Sequence, residues 1–152
     1  MKIGIASDHR GYKTKQYIIS YLKKKNYDIE DFGPYDMMMT DYTKYAFLIG
    51  EKIKNDEIQR GILICGTGIG MSIACNKVAK VRCAKVDSIK DAELTRKDND
   101  ANVIALSSSM PKYKIKDILD KFFATNFSQT ERYIKRIKQI SDYEEGNYSN
   151  GC

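Results

Sequence analysis

The stretch Arg60-Gly61-Ile62-Leu63-Ile64-Cys65-Gly66-Thr67-Gly68-Ile69-Gly70-Met71-Ser72 restricts the fold more than any other part of the chain. Ile62, Leu63 and Ile64 show no polar alternation, and such a run suits a central parallel strand covered on both faces. The run ends at Cys65, after which glycines stand at 66, 68 and 70. Lacking Cβ atoms, they let the backbone turn sharply and present successive N–H groups to an anion or a developing oxyanion. Residues 71–78 read as a helix whose N-terminal amides add positive potential near Cys65. Donors around a sulfur favour the thiolate, the form that serves as base or nucleophile. A buried structural cysteine beside a tight turn has the same pattern, and on pattern alone the two readings are evenly matched. The glycines have neither the Lys-Ser or Lys-Thr ending of a P-loop nor the spacing of a dinucleotide fingerprint.

Strand signals recur at residues 2–6, 27–32, 61–65, 82–86 and 103–106, and helical periodicity fills the gaps. This alternation predicts a doubly wound, Rossmann-like α/β domain: a three-layer sandwich on a five-stranded parallel sheet, with a C-terminal helix. Residues 13–25 set Tyr17, Ile18, Tyr21 and Leu22 on one side, and Tyr42, Tyr45, Ala46, Ile49 and Ile53 form a second amphipathic stripe. Ser88 reads as the N-cap of a helix to residue 97, which delivers Asp98 and Asn99 to a loop. Past Pro111, Ile115, Ile118, Leu119, Phe122 and Phe123 mark another amphipathic helix. In the last helix, at about 130–141, Arg132 and Arg136 stand four apart and project together. From pattern alone a solvated basic face is the favoured reading of that pair, since Lys135 and Lys138 lie nearby. One domain over residues 1–143 and a flexible tail over 144–152 complete the expected organisation.

The 152 residues suffice for one domain with a sizeable core. An excess of six positive charges raises the question of nucleic acid, but the lysines are scattered among acids rather than gathered in one run, which argues against it. The same modest field suits an anionic small substrate. The N-terminus enters a strand directly and no apolar run approaches membrane-spanning length, so the expectation is a cytoplasmic protein with no membrane partner. Cysteines at 65, 75, 83 and 152 lack Cys-x-x-Cys spacing and are expected as free thiols. With His9 as the one imidazole, no metal site is expected.

In open α/β sheets ligands gather at the carboxyl ends of the strands. Asp8, His9 and Arg10 follow the first strand there, Cys65 to Gly70 the third, and Asp87 the fourth. Cys65-Gly66-Thr67-Gly68-Ile69-Gly70 with Asn76-Lys77 behind it resembles the signature of the type B ribose-5-phosphate isomerase and galactose-6-phosphate isomerase family. The resemblance extends along nearly the whole chain, through Ser7-Asp8-His9-Arg10-Gly11, Asp31-Phe32-Gly33, Thr40-Asp41-Tyr42, Asn99-Asp100-Ala101-Asn102-Val103, and the pair Arg132 and Arg136. It implies an aldose–ketose isomerase that needs no cofactor and interconverts ribose 5-phosphate and ribulose 5-phosphate through an enediolate. In that scheme Cys65 carries the proton between C2 and C1. Thr67 and the amides of Gly66, Gly68, Ile69 and Gly70 hold the enediolate oxygens. Asp8 and Asn99 bind sugar hydroxyls, Tyr42 lies over the thiol, and His9, Arg132 and Arg136 hold the phosphate. Relatives complete the site from two subunits, which implies a homodimer or homotetramer, with a hetero-oligomer also open.

The chain departs from its relatives at three places. Asp98 stands where they commonly carry the histidine credited with opening the sugar ring, so that step falls to Asp98, to His9, or to substrate already open. Ser109 replaces an arginine after the fifth strand, and Thr130-Glu131-Arg132-Tyr133 replaces a Gly-Gly-Arg-His run. Arg10 and Lys112 are the candidate replacements in the phosphate pocket. These departures resemble the B subunit of galactose-6-phosphate isomerase, which keeps a hexose 6-phosphate substrate, or a non-catalytic sugar-phosphate-binding role, as alternatives.

Overall fold

A computed structural model of the chain describes residues 1–149. The expected tail is described only in part, and the expected free thiol of Cys152 lies outside the described residues. The apolar runs form strands β1 (Lys2–Ser7), β2 (Asp28–Asp31), β3 (Arg60–Cys65), β4 (Cys83–Lys85) and β5 (Val103–Ser107). They pair in one all-parallel sheet of order β2-β1-β3-β5-β4. Helices α1 (Tyr12–Lys24), α2 (Tyr42–Lys54), α3 (Ile69–Cys75), α4 (Ile89–Asn99), α5 (Lys112–Ala124) and α6 (Glu131–Glu144) connect or follow the strands. This is the Rossmann-like α/β fold that the alternation predicts.

The pleat explains the three layers, because successive strand side chains point to opposite faces. Ile3, Ile5, Ile62, Ile64, Ile104 and Leu106 pack with residues of α1, α4 and α5, while Leu63, Cys65 and Ala105 pack with residues of α2 and α3. Cys65 therefore faces the α2–α3 layer. β1 leads into a helix on one face and β3 into a helix on the other, so their carboxyl ends flank the place where the winding reverses. Several ends differ from expectation: β4 is one residue shorter at each end than its apolar signal, α3 begins at Ile69 directly on the glycine turn and ends at Cys75, and α6 runs one residue into the expected tail.

Ser88 caps α4 as its sequence position predicts: its Oγ accepts the Asp91 N–H at 3.0 Å, while an Asp91 carboxylate oxygen accepts the Asp87 N–H at 3.2 Å. α6 is exceptional, since it buries none of its residues against its own chain. Among the described residues, no helix is long and apolar enough to cross a membrane.

Candidate active site

The turn after β3 is built around its cysteine. Gly68 stands at φ +79°, a left-handed conformation that costs any residue with a Cβ about 1–2 kcal/mol. That conformation aims the Gly68 N–H at the Cys65 sulfur, which accepts it at 3.1 Å. Cys65 is only 5% exposed, so this hydrogen bond acts where water screens it little. The Ile69 N–H is donated to the Thr67 hydroxyl oxygen at 3.2 Å. Of the four loop amides expected to face a substrate oxygen, those of Gly68 and Ile69 thus serve the sulfur and the turn itself. Thr67 keeps its hydroxyl proton to donate.

Neighbouring strands buttress the turn. Ser107, paired with Cys65 in the β3–β5 register, donates from Oγ to the Gly66 carbonyl at 2.8 Å and sits 2.8 Å from the Ser109 hydroxyl. The Tyr42 ring lies against Gly70, where an added Cβ would come within 2.7 Å of it. Tyr42 thus stands against the glycine turn at Gly70. The Arg10 guanidinium lies over Gly66, 3.1 Å from where a Cβ would be. A cavity of about 420 Å³ opens beside this turn, lined by Gly66, Thr67, Lys85, Ser107, Ser109 and Lys114 among others.

On the neighbouring strand, the Asp8 N–H donates to the Ile64 carbonyl at 3.1 Å, so Asp8 and His9 run alongside Ile64 and Cys65. Asp8 is buried, and its Oδ1 accepts the Gly11 N–H at 2.8 Å, which fixes the carboxylate and leaves its second oxygen uncommitted to that bond. The imidazole of His9 reaches the β2–α2 connection: its Nδ1 is 3.3 Å from both the carbonyl oxygen and the amide nitrogen of Thr40. The same end of the sheet is braced by Lys15, wholly buried and paired with Asp31 at 2.5 Å, whose Oδ1 also accepts the Gly33 N–H at 2.9 Å.

The remaining expected site residues stand elsewhere. α4 leaves the carboxyl end of β4 and runs back, so Asp98 and Asn99 lie at the amino end of the sheet, about 16 Å away by the length of an eleven-residue helix. Arg82, just before β4, donates from Nε to the Asn99 carbonyl at 3.0 Å. The buried Arg96 ties down this terminus through Asp100 Oδ1 at 2.7 Å and the Ala101 carbonyl at 2.6 Å. α6 joins the same end: Ser128 N–H bonds the Lys97 carbonyl at 3.0 Å, and Glu144 accepts the Lys80 N–H at 3.0 Å. Arg132 and Arg136 are exposed and flank Tyr133, with guanidinium carbons 4.6 and 6.0 Å from its ring centre. A cavity of about 350 Å³ at this end is lined by Asn76, Arg82, Cys83, Asn99, Ile140 and Glu144 among others. Deeper in, a hydrogen bond shared with the Cys75 thiol, which holds the Cys83 proton in place, and then burial push the Cys83 thiol well above the ordinary cysteine range.

The predicted residues therefore form two sets within one chain. Asp8, His9, Tyr42 and Cys65 to Gly70 stand at the carboxyl end of the sheet; Asp98, Asn99 and the helix that carries Arg132 and Arg136 stand at the amino end. Sequence reading missed the support given by Thr40 and Ser107. Thr40 stands inside a motif that resembles the family and Ser107 directly after an expected strand, signals that could have found both.

Residues 3–140 match the family model described as Ribose/Galactose Isomerase. The fold is similar to ribose-5-phosphate isomerase B from Clostridium thermocellum, at 39% identity and TM-score 0.93 over 96% of this chain and 99% of that one. It is also similar to ribose-5-phosphate isomerase B from Mycoplasma genitalium with bound ribulose-5-phosphate, at 42% identity and TM-score 0.89 over 95% and 96% of the two chains. A Listeria innocua relative named ribose-5-P isomerase B is 38% identical over 130 residues, 84% of this chain and 87% of that one. With a glycine turn wrapped around a strand-end thiol and a family model spanning nearly its whole length, the chain belongs to the ribose/galactose isomerase family.

Proposed function

We propose that the chain is an aldose–ketose isomerase interconverting ribose 5-phosphate and ribulose 5-phosphate, with Cys65 as the proton carrier. The observation that carries this reading is the Cys65 sulfur held 3.1 Å from the Gly68 amide at the end of a central strand. An N–H aimed at sulfur stabilises negative charge on it, which is what a thiol needs to act as a base. The choice of pentose is supported by the Mycoplasma genitalium relative described with bound ribulose-5-phosphate.

In the reaction, the Cys65 thiolate removes the C2 proton of the open aldose. The electron pair moves to form an enediolate, the O2 hydroxyl proton passes to O1, and the sulfur returns its proton to C1 as the C2 carbonyl forms. The Thr67 hydroxyl and the amides of Gly66 and Gly70 are the donors left for the enediolate oxygens, since those of Gly68 and Ile69 are engaged inside the turn. The Asp8 carboxylate, fixed by Gly11, orients a sugar hydroxyl.

Asn99, Arg132 and Arg136 cannot reach that turn within their own chain, which lies a helix length away. The reading therefore includes a second copy that brings its amino end to the carboxyl end of the first. The two arginines then clamp the phosphate with planar forks. Exposed apolar side chains on α3 and α6, among them Ile69, Ile73, Ile134 and Ile140, supply the surface such an assembly buries. A direct assay of the purified chain with ribose 5-phosphate and galactose 6-phosphate tests the reading. Turnover of the pentose is expected, with a loss of about 1,000-fold in Cys65→Ala at unchanged folding. Near-native turnover by that variant rejects the mechanism, and preference for the hexose rejects the substrate.

A further inference from the structure

An enediolate spreads its charge over two oxygens, and donors aimed in advance at those oxygens lower the barrier to forming it. How the turn after β3 aims its donors follows from what holds its carbonyls. The Ser108 N–H donates to the Cys65 carbonyl at 2.8 Å, and Ser107 Oγ donates to the Gly66 carbonyl, also at 2.8 Å. Both peptides are trans, so the N–H of each points opposite to its carbonyl. With the two carbonyls turned to the end of β5, the Gly66 and Thr67 N–H groups face away from it, toward the side of β3 on which β1 ends at Asp8. Among the described residues neither N–H has a backbone acceptor. Successive amides that face one way make a concavity suited to an anion.

The two peptides are held differently. The Cys65–Gly66 peptide is fixed by the strand ladder, and any residue at 108 except proline would supply the same N–H. The Gly66–Thr67 peptide lies past the end of the ladder, and a side chain holds it. Ser107 has one hydroxyl proton, and a carbonyl can only accept, so that proton goes to Gly66. In the 2.8 Å contact between the Ser107 and Ser109 hydroxyls the donor is then Ser109, whose N–H adds a second bond to Ser107 Oγ at 3.3 Å. The bonds run one way, from Ser109 through Ser107 to Gly66. Hydrogen bonds in line strengthen one another by about 10–30% each, and a carbonyl that accepts one makes the N–H of its own peptide a better donor. Ser107, Ser109, Gly66 and Thr67 line one cavity, so the brace stands beside the open face of the turn.

We propose that Ser107 is a positioning residue of the isomerase, which aims and strengthens the Thr67 N–H as a further donor to the enediolate; the assignment rests on the reaction proposed above. Ser107 touches no reacting atom and acts through one peptide. Gly66 offers little resistance to rotation, so without the hydroxyl that peptide is free to turn. With it, the Thr67 N–H joins the Thr67 hydroxyl and the amides of Gly66 and Gly70.

The test separates an effect on the reaction from an effect on binding or folding. Ser107→Ala, with its fold checked by circular dichroism, is expected to lose about tenfold in kcat for ribose 5-phosphate, part of the roughly 100-fold that deleting such a donor costs, while KM changes by less than about twofold. Ser107→Thr keeps the hydroxyl and is expected to recover kcat to within about threefold of wild type. In the ligand-free protein, the backbone nitrogen resonance of Thr67 is expected to move upfield in Ser107→Ala and to return in Ser107→Thr, because the bond on the Gly66 carbonyl is lost and restored. An unchanged kcat in Ser107→Ala overturns the proposal, as does a loss carried equally by KM, a folded Ser107→Thr that recovers nothing, or a Thr67 resonance that stays in place. A wild-type protein that turns over neither ribose 5-phosphate nor galactose 6-phosphate rejects the isomerase reading itself; the Thr67 resonance is read without substrate, which keeps the two failures apart.

Discussion

The two ends of the sheet are built on different principles. At the carboxyl end the chain finishes its own work: the thiol is 5% exposed, the turn around it is held by backbone donors, and Asp8, Ser107 and Tyr42 are each tied down by or packed on a neighbouring element. At the amino end the backbone is equally well anchored, through Arg82 and Arg96. The groups proposed to bind a ligand there, however, lie on the surface: Asn99, Arg132 and Arg136 are exposed, and the helix carrying the arginines has no buried residue. On the proposed reading, preorganisation is invested where charge would develop during the reaction, while the phosphate clamp is left for a second copy to complete.

The sharpest way to break this comparison is to separate the two ends genetically. Cys65→Ala disables one end and Arg132→Ala/Arg136→Ala the other, so each purified protein is expected to be nearly inactive. Mixed under conditions that exchange subunits, a hybrid dimer contains one site with both defects and one with neither, and activity is expected to return to about a quarter of wild type. Steady-state assay of the mixture decides it. No recovery after confirmed exchange would place both ends of each site in one chain.

A smaller effect is expected on the covering surface. Ile73 is 59% exposed on α3, and Ile73→Asp should leave the fold intact while weakening self-association by about tenfold or more. Sedimentation at several concentrations reads this directly, and an unchanged association state would remove α3 from the interface. The smallest effect sharpens the description of the carboxyl end. Gly68→Ala forces a Cβ into the left-handed conformation, 3.1 Å from the Leu106 carbonyl carbon, and is expected to cost about 1–2 kcal/mol in thermal unfolding. Activity should fall further than stability, because the amide at 68 then turns from the sulfur. Loss of stability with full activity would show that the Gly68 donor does not matter to Cys65.

The same division explains what the sequence disclosed. The β3 run and the alternation around it fixed the architecture because a parallel strand buried on both faces leaves few arrangements. Residues directly after strands were legible as site candidates, since every βα connection opens at the carboxyl end. Asp98, Asn99, Arg132 and Arg136 came into view only by resemblance: their place depends on where α4 ends and where α6 crosses, which no local pattern states. The Thr40 contact to His9 was beyond reach for another reason. It is made by peptide atoms, which every residue carries alike.

The naked face of α6 sets a limit on how the protein can be used. If the arginines it carries reach a thiol in another copy, then once chains are scarce enough for most to be single, output follows the square of their concentration instead of its first power. Halving the amount of chain then quarters the flux, and a dilute sample falls silent while every molecule in it is still folded.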